Sequence, residues 1–296
     1  MARMRRAVSG RIPARSLTPE GQRLVAGEPA TRRKCIEQAG ALLIPRYMER
    51  LQQFTQVAKQ RTALLKQLGD RGDFDPQYGR QAALSGLEIW TGQFIDIGMA
   101  LTHDRATLIE RLSEPFSRVY ASLAGTDQQA LLHYEPSFDE VMLYDDPAAE
   151  ISRHFQRIYP GEVARGQNLI GPHRDDLTLT LHGMPAREFA SNGEMWTMAL
   201  ALKMALYETV CADQQTKPIV ILDDVFAQLD ESRREQILDF ARRQDQVLIT
   251  VAAASDIPAT QAHMIDVAAL RDHADDDDAL GALMATLAAG RKAEER

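Results

Sequence analysis

Residues 218–230 read PIVILDDVFAQLD, and this stretch decides the fold class of the protein. An apolar run ends in two adjacent carboxylates, Asp223 and Asp224, and the pair Leu229 and Asp230 follows five residues later. In α/β sheets, ligands bind beyond the carboxyl ends of the strands, and Mg²⁺ prefers oxygen ligands. The stretch is therefore typical of the metal-and-water half of an ATP site. Two acids after a strand are also common as a loop start or a helix cap, so this pattern alone does not decide between them.

The neighbouring sequence predicts a parallel sheet around this strand. Residues 246–253, QVLITVAA, form a second short apolar run, and the charged helical pattern of residues 230–243 separates the two runs. Strand, crossover helix and strand make the βαβ unit of a buried parallel sheet. Upstream, residues 131–138 and 177–183 also have strand patterns, and the second alternates strictly before a turn at Gly183, Met184 and Pro185. The predicted fold class is α/β.

The first half of the chain has the pattern of two long helices. From about residue 31 to residue 68 the sequence reads as helical. Its second part, from Tyr47 to Leu68, has apolar positions at alternating spacings of four and three, with one polar break at Arg61. A loop-like segment follows at residues 68–79. The next run has apolar residues seven apart, namely Leu87, Phe94, Leu101 and Leu108. Two heptad-patterned helices joined by a loop predict an antiparallel helical hairpin, here called the arm.

Composition limits the classes of function. The chain has 296 residues, a net charge of −8, and no apolar run of the roughly 18 residues that a membrane helix needs. Only two cysteines occur, Cys35 and Cys211, which predicts no disulfide framework and no zinc site and fits a reducing cytoplasm. Residues 1–37 carry nine Arg or Lys against three acids, so a basic end could contact phosphate backbones. A solvated basic tail is an equal alternative.

A second motif lies at residues 190–196, ASNGEMW. Ser191 and Glu194 have the S-x-x-E spacing of a capping box, which predicts the start of a helix and needs no ligand. The same geometry suits an anion, because Gly193 lets the backbone approach closely and free N–H groups at a helix N-terminus attract phosphate. The cap is the favoured interpretation when the motif is taken alone.

A third motif lies at residues 169–179, LIGPHRDDLTL. Gly171 and Pro172 predict a turn, and four polar side chains follow it ahead of a strand, His173, Arg174, Asp175 and Asp176. A turn closed by its own salt bridges is one interpretation. The other makes His173 and Arg174 candidates for contact with a phosphate or a partner surface, because a guanidinium matches phosphate oxygens well.

The order of the three motifs resembles the C-terminal lobe of an ABC-type P-loop ATPase head with a helical arm, and most closely the RecF family, which is related to SMC and Rad50 heads. The likeness extends over roughly residues 17–258, and residues 162–177 and 190–208 resemble the family nearly residue for residue. The resemblance implies five segments: an unmatched basic tail at 1–16, a remnant of the N-terminal head lobe at 17–43, the arm at 44–126, the C-terminal lobe at 127–271, and an acidic tail at 272–296.

The resemblance also implies roles. Asp223 would hold Mg²⁺ and Asp224 would act on the attacking water, while Ser191, Gly193 and Glu194 would form the signature motif that contacts ATP bound to the opposite subunit. Leu229 and Asp230 would form the D-loop. The implied function is ATP-dependent binding of single-stranded and double-stranded DNA in replication, recombinational repair and the SOS response. The implied partners are a second head and the proteins RecO and RecR.

One part of the family pattern is missing. The RecF family has a P-loop, G-x-x-x-x-G-K-[ST], and no Gly in this sequence is followed by Lys and then Ser or Thr. The sequence therefore resembles a RecF without its first third, and this chain alone is expected not to hydrolyse ATP. Residues 252–254 also lack the phosphate-sensing His of related heads. Two alternatives remain, a non-enzymatic interaction protein that acts through the arm, and another SMC-like head fragment.

Overall fold

The computed structural model describes most of the chain, namely residues 14–17, 21–69, 79–125, 129–215, 217–226, 231–253, 256–257 and 262–267. The chain divides into two compact units, residues 1–256 and residues 257–296. The elements described below all belong to the first unit. In the second unit only residues 257 and 262–267 are described, and their side chains are exposed. The acidic segment predicted at 272–296 lies outside the described residues.

The first sheet has three parallel strands, and the decisive stretch forms its centre. The strands are β1 (Ala14–Leu17), β5 (Ile219–Asp223) and β6 (Val247–Thr250), in the order β1-β5-β6. The register places Leu17 opposite Leu222 and Asp223 opposite Thr250. Helix α9 (Glu231–Arg242) connects β5 to β6, so the predicted βαβ unit is confirmed. Strand β1 includes residues 14–16, which the sequence motifs had left in the N-terminal tail.

The second sheet is antiparallel and contains the two strands predicted upstream. Its strands are β2 (Ala130–Glu135), β3 (Asp176–Leu181) and the short β4 (Met184–Pro185), paired in that order. The turn between β3 and β4 lies at His182 and Gly183, which have φ angles of 51° and 77°. Met184 pairs with Leu181. The predicted turn was therefore placed one residue too late, since Met184 and Pro185 are already in the next strand.

Helix α8 (Asn192–Gln214) runs through the core of the head. Its side chains are buried around most of its circumference between Thr197 and Val210, as its continuous apolar sequence predicts. The same core contains side chains of β2, β3, β5 and α9. Four helices complete this part of the molecule: α1 (Gly21–Ala26), α2 (Pro29–Leu43), α5 (Glu140–Leu143) and α7 (Ala186–Phe189).

The arm consists of α3 (Tyr47–Gly69) and α4 (Gly79–Ala124). Contacts between their side chains run in opposite directions along the two helices, because Arg50 bonds to Asp104 whereas Arg61 bonds to Thr91. The hairpin is therefore antiparallel, as predicted. The predicted continuous helix over residues 31–68 is wrong at one point. Residues 44–46 separate α2 from α3, where Pro45 lacks an N–H and Arg46 has a φ of 60°.

The arm and the head share helix α4. The N-terminal part of α4 packs on α3 and on α6 (Pro147–Arg165) through Phe94 and Leu101, whereas its C-terminal part enters the head core through Leu108 and Phe116. The helix continues through Pro115 and ends before Gly125, which has a φ of 65°. Within the described residues, no helix is both long enough and apolar enough to cross a bilayer.

Candidate functional site

The acidic edge, defined here as Asp223, Asp224 and Thr250, lies at the carboxyl ends of β5 and β6. The Thr250 hydroxyl donates to Asp223 Oδ1 at 2.6 Å, and the backbone N–H of Asp224 donates to the Thr250 carbonyl at 3.1 Å and approaches its hydroxyl at 3.2 Å. The Asp223 side chain is exposed. Parallel pairing thus fixes the Asp223 carboxylate at the position where α/β sheets bind ligands.

Asp224 has an unusual environment for a charged residue. Its backbone has a φ of 52°, in the left-handed region, and its side-chain Oδ1 is buried with no hydrogen-bond partner among the described residues. A buried carboxylate oxygen without a partner costs free energy, and such atoms occur at ligand sites. The described residues contain no cluster of three or more His, Cys, Asp or Glu that could hold a metal. One or two carboxylates nevertheless fit Mg²⁺, which takes its other ligands from water and phosphate.

The signature motif begins helix α8 with a complete capping box. The Ser191 hydroxyl accepts from the Glu194 N–H at 3.3 Å, and the Glu194 carboxylate accepts from both the Ser191 N–H and the Ser191 hydroxyl at 2.7 Å. These bonds from Ser191 hold the pKa of Glu194 below its ordinary value. Ser191 is exposed, so the cap and the helix N-terminus both face solvent. The predicted cap is confirmed. Its exposure is compatible with contact to a phosphate that is bound to an opposite subunit.

The residues expected to form one ATP site are not joined within this chain. Among the described residues, no hydrogen bond connects the acidic edge to Ser191, Gly193 or Glu194. Leu229 and Asp230, expected to form the D-loop, lie outside the described residues. The arrangement is consistent with a site completed by a second head, which stays a prediction.

The carboxylates of the third motif bind distant helices and do not close the turn on itself. Buried Asp175 accepts from Arg105 Nη1 at 2.7 Å, the Tyr134 hydroxyl at 2.5 Å and the Ser137 N–H at 2.8 Å. Burial, with Asp175 next in importance, raises the pKa of Tyr134, so its hydroxyl stays a donor. Asp176 forms a bidentate pair with Arg32 of α2, with N–O distances of 2.6 and 2.7 Å.

His173 and Arg174, the predicted contact residues, lie in a short 3-10 turn (Pro172–Arg174). Both approach the carbonyl oxygen of Asn168, at 3.2 Å from His173 Nε2 and 3.1 Å from Arg174 Nε. Gly171 precedes them with a φ of 125°, and a Cβ at this position would lie 2.7 Å from the Phe94 ring. The motif therefore needs its glycine for close packing against the arm.

Sequence reasoning missed a buried ion pair between α3 and α6. Arg61 donates to both carboxylate oxygens of Glu162, at 2.9 and 2.5 Å, and to Asn168 Oδ1 at 2.6 Å. The side chains of Arg61 and Glu162 are 2% and 0% exposed, and the guanidinium lies 4.4 Å from the Phe155 ring centroid. The sequence did contain a signal for this ion pair, because Arg61 is the one polar residue on an otherwise apolar helical face.

Together, the parallel sheet with its acidic edge, the buried helix with an exposed cap and the attached arm define an ABC-type ATPase head with a helical arm. Comparison with known proteins gives the family. The proteins described as "DNA replication and repair protein RecF" from Bifidobacterium adolescentis and Bifidobacterium longum subsp. infantis are 71% and 63% identical to this chain. The alignments cover 98% and 91% of this chain, and 72% and 65% of the relatives. No protein-family model matches.

This chain belongs to the RecF family. The alignment with the Bifidobacterium adolescentis relative reaches into the basic N-terminal segment that the motifs had left unmatched. Two solved structures share the fold, those of the recombination mediator protein RecF with ATPrS and with ATP, with TM-scores of 0.73 and 0.71. They are 20% and 21% identical, and the matches cover 84% and 83% of this chain but only 65% and 64% of those chains. The predicted fold class is confirmed.

Proposed function

We propose that this chain is a cytoplasmic, RecF-type DNA-binding protein of replication, recombinational repair and the SOS response, acting through ATP-dependent pairing of two heads. Membership of the RecF family supports the replication and repair role. The observation that carries the ATP-dependent part is the acidic edge, where Thr250 orients an exposed Asp223 at the end of β5. The interaction-protein alternative is not favoured by these relatives, all of which are described as RecF.

The proposed ATP site divides its residues between two heads. Asp223 would hold Mg²⁺, which would neutralise charge on the transferred phosphoryl group, and Asp224 would orient the attacking water. Ser191 and Gly193 would contact the nucleotide held by the opposite head, with Glu194 fixing the Ser191 backbone and hydroxyl. Leu229 and Asp230 would lie at the interface between the heads.

The chain by itself is expected to bind ATP weakly and not to hydrolyse it. Its sequence contains no G-x-x-x-x-G-K-[ST] loop, whose backbone N–H groups and Lys would hold the β- and γ-phosphates. An intact RecF head could supply that loop, while this chain supplies the capped N-terminus of α8. The proposed functional unit is a homodimer or a pair of this chain with an intact head.

The proposed substrates are single-stranded and double-stranded DNA, and the proposed partners are RecO and RecR. One related structure is described as RecF in the RecFOR pathway, which supports this choice of partners. Because phosphate contacts dominate DNA affinity, binding should weaken by orders of magnitude between about 50 and 200 mM salt. The net charge of −8 makes a localised basic surface necessary for such binding.

The test measures ATP hydrolysis and DNA binding with the purified chain, alone and mixed with the Bifidobacterium adolescentis relative. We expect no hydrolysis by the chain alone, and a change in the relative's hydrolysis when the chain is added. The Ser191→Asp variant of this chain should not change the relative's rate of hydrolysis, because a carboxylate at the cap repels the nucleotide phosphates. ATP hydrolysis by the chain alone, or DNA binding independent of salt, would contradict the proposal.

A further inference from the structure

A cavity of about 440 Å³ opens where the arm meets the head, between α2, α3 and the segment 167–174. Its floor is apolar and consists of Leu51, Phe54 and Ala58 from one face of α3. Phe54 is 2% exposed and its ring stacks on the ring of His173, with centroids 6.2 Å apart. This volume lies in the range of about 300–1,000 Å³ that is typical of small-molecule sites.

Besides Arg105, whose charge is paired with Asp175, three cationic side chains from three different elements line the same cavity. They are Arg33 of α2, Lys59 of α3 and Arg174 of the 3-10 turn. Across the described part of the chain, none of the three forms an ion pair with a carboxylate. Arg33 donates one Nη to the Asp175 carbonyl and Arg174 donates Nε to the Asn168 carbonyl, which leaves most of their N–H donors for a ligand.

The acidic groups around the cavity do not cancel this charge. Asp175 and Asp176 bind Arg105 and Arg32, and Glu37, the one carboxylate in the described lining, lies 3.8 Å from Arg105. Burial is the main cause that lowers the pKa of His173. The bond to the Asn168 carbonyl and the charge of Asp175 raise it, whereas the charges of Arg174 and Arg33 lower it.

We propose that this cavity binds a phosphate monoester on an aromatic or otherwise apolar body. The phosphate would lie among Arg33, Lys59 and Arg174, because guanidinium and ammonium groups are the strong phosphate donors in proteins. The body would pack on the floor formed by Leu51, Phe54 and Ala58. An apolar floor beneath a cationic rim favours such a molecule over a bare inorganic anion, since burying the body adds hydrophobic free energy.

Calorimetric titration of the full chain with phenyl phosphate tests the proposal, because this probe has both features and is not a nucleotide. We expect one site, with weaker binding of inorganic phosphate, which lacks the ring, and of phenol, which lacks the phosphate. Lys59→Gln should raise the Kd about tenfold, as expected for the loss of one charge-assisted hydrogen bond. Lys66→Gln, an exposed lysine on the same helix outside the cavity, should leave the Kd unchanged.

A third variant separates this cavity from the acidic edge. Asp223→Asn should bind phenyl phosphate with the Kd of the unchanged chain, because Asp223 does not line the cavity. Arg174→Lys keeps the positive charge but loses the planar arrangement of N–H donors. It should therefore weaken binding of phenyl phosphate less than the double variant Lys59→Gln and Arg174→Gln, which removes two charges. Absence of binding to the folded chain, equal Kd values for the Lys59 and Lys66 variants, or equal affinity for phenol and phenyl phosphate would each overturn the proposal.

Discussion

Arg105 of α4 and Asp175, the residue before β3, form an ion pair with side-chain exposures of 1% and 0% and an Nη1–Oδ2 distance of 2.7 Å. Arg105 also donates to the Pro172 carbonyl and to the Tyr47 hydroxyl. Asp175 binds Tyr134 and the Ser137 N–H on the head side. The buried pair of Arg105 and Asp175 thus joins the arm helix α4 to the motif GPHRDD of residues 171–176.

Asp175→Asn should destabilise the chain by about 3–5 kcal/mol, because it leaves the buried Arg105 charge with only Glu37, 3.8 Å away and partly exposed, as a counter-ion. Urea denaturation followed by circular dichroism measures the change. Asp213→Asn is the matched control, since Asp213 pairs with Arg111 at 2.7 Å on the surface. Exposed pairs contribute at most about 1 kcal/mol. Similar losses for the two variants would show that burial does not control the strength of the Arg105 pair.

The Arg61 and Glu162 pair should behave differently in single and double variants. Arg61→Met or Glu162→Leu alone leaves one buried charge, and each should cost about 3–5 kcal/mol. The double variant removes both charges and should be less destabilised than the sum of the two, because a buried ion pair can be replaced by apolar side chains at little cost. Additive losses in a double-mutant cycle would show that the two charges are independent.

Ser191 offers a way to separate the cap of α8 from nucleotide contact. Ser191→Ala should cost about 1 kcal/mol of stability, because it removes the oxygen that accepts from the Glu194 N–H. Ser191→Asp should restore only part of that stability, since Asp is also a good cap residue but its carboxylate replaces the hydroxyl that donates to the Glu194 carboxylate. Thermal denaturation measures both. If Ser191→Ala is as stable as the unchanged chain, the side chain at this position does not cap the helix.

His173 should make stability depend on pH in the mildly acidic range. Its pKa is lowered from an ordinary value of 6.5, chiefly by burial, so the unfolded chain takes up the proton more readily. The free energy that neutral His173 contributes to the stability of the folded chain is fully present above pH 6.5 and is lost as pH falls below that value. Unfolding free energies measured at several pH values should therefore fall less steeply for His173→Gln than for the unchanged chain.

Much of the fold could be predicted because the patterns are local. The apolar run before Asp223 predicts β5, the run containing Leu248 predicts β6, and the heptads around Phe94 predict the arm helix. Two errors also have local causes. The break between α2 and α3 depends on Pro45 and on the positive φ of Arg46, and the turn before β4 depends on the positive φ of His182.

Only part of the candidate site could be predicted. The cap formed by Ser191 and Glu194 is read directly from the S-x-x-E spacing. The pairing of Asp223 with Thr250 is not, because the two residues are 27 positions apart and only the strand register brings them together. The cavity beside Lys59 could not be predicted either, because the cationic side chains that line it come from elements far apart in the sequence.

The sequence alone predicted the class of fold, four of the six strands (β2, β3, β5 and β6), the arm helices and the RecF resemblance, because spacing and turn chemistry act over a few residues. The tertiary structure decided what the charged residues do. It showed that Asp175 and Asp176 hold Arg105 and Arg32, and that Arg61 is neutralised by Glu162. The physical reason is that a charge can be buried only beside its counter-charge, and that partner is chosen by packing across 70 to 144 residues of chain.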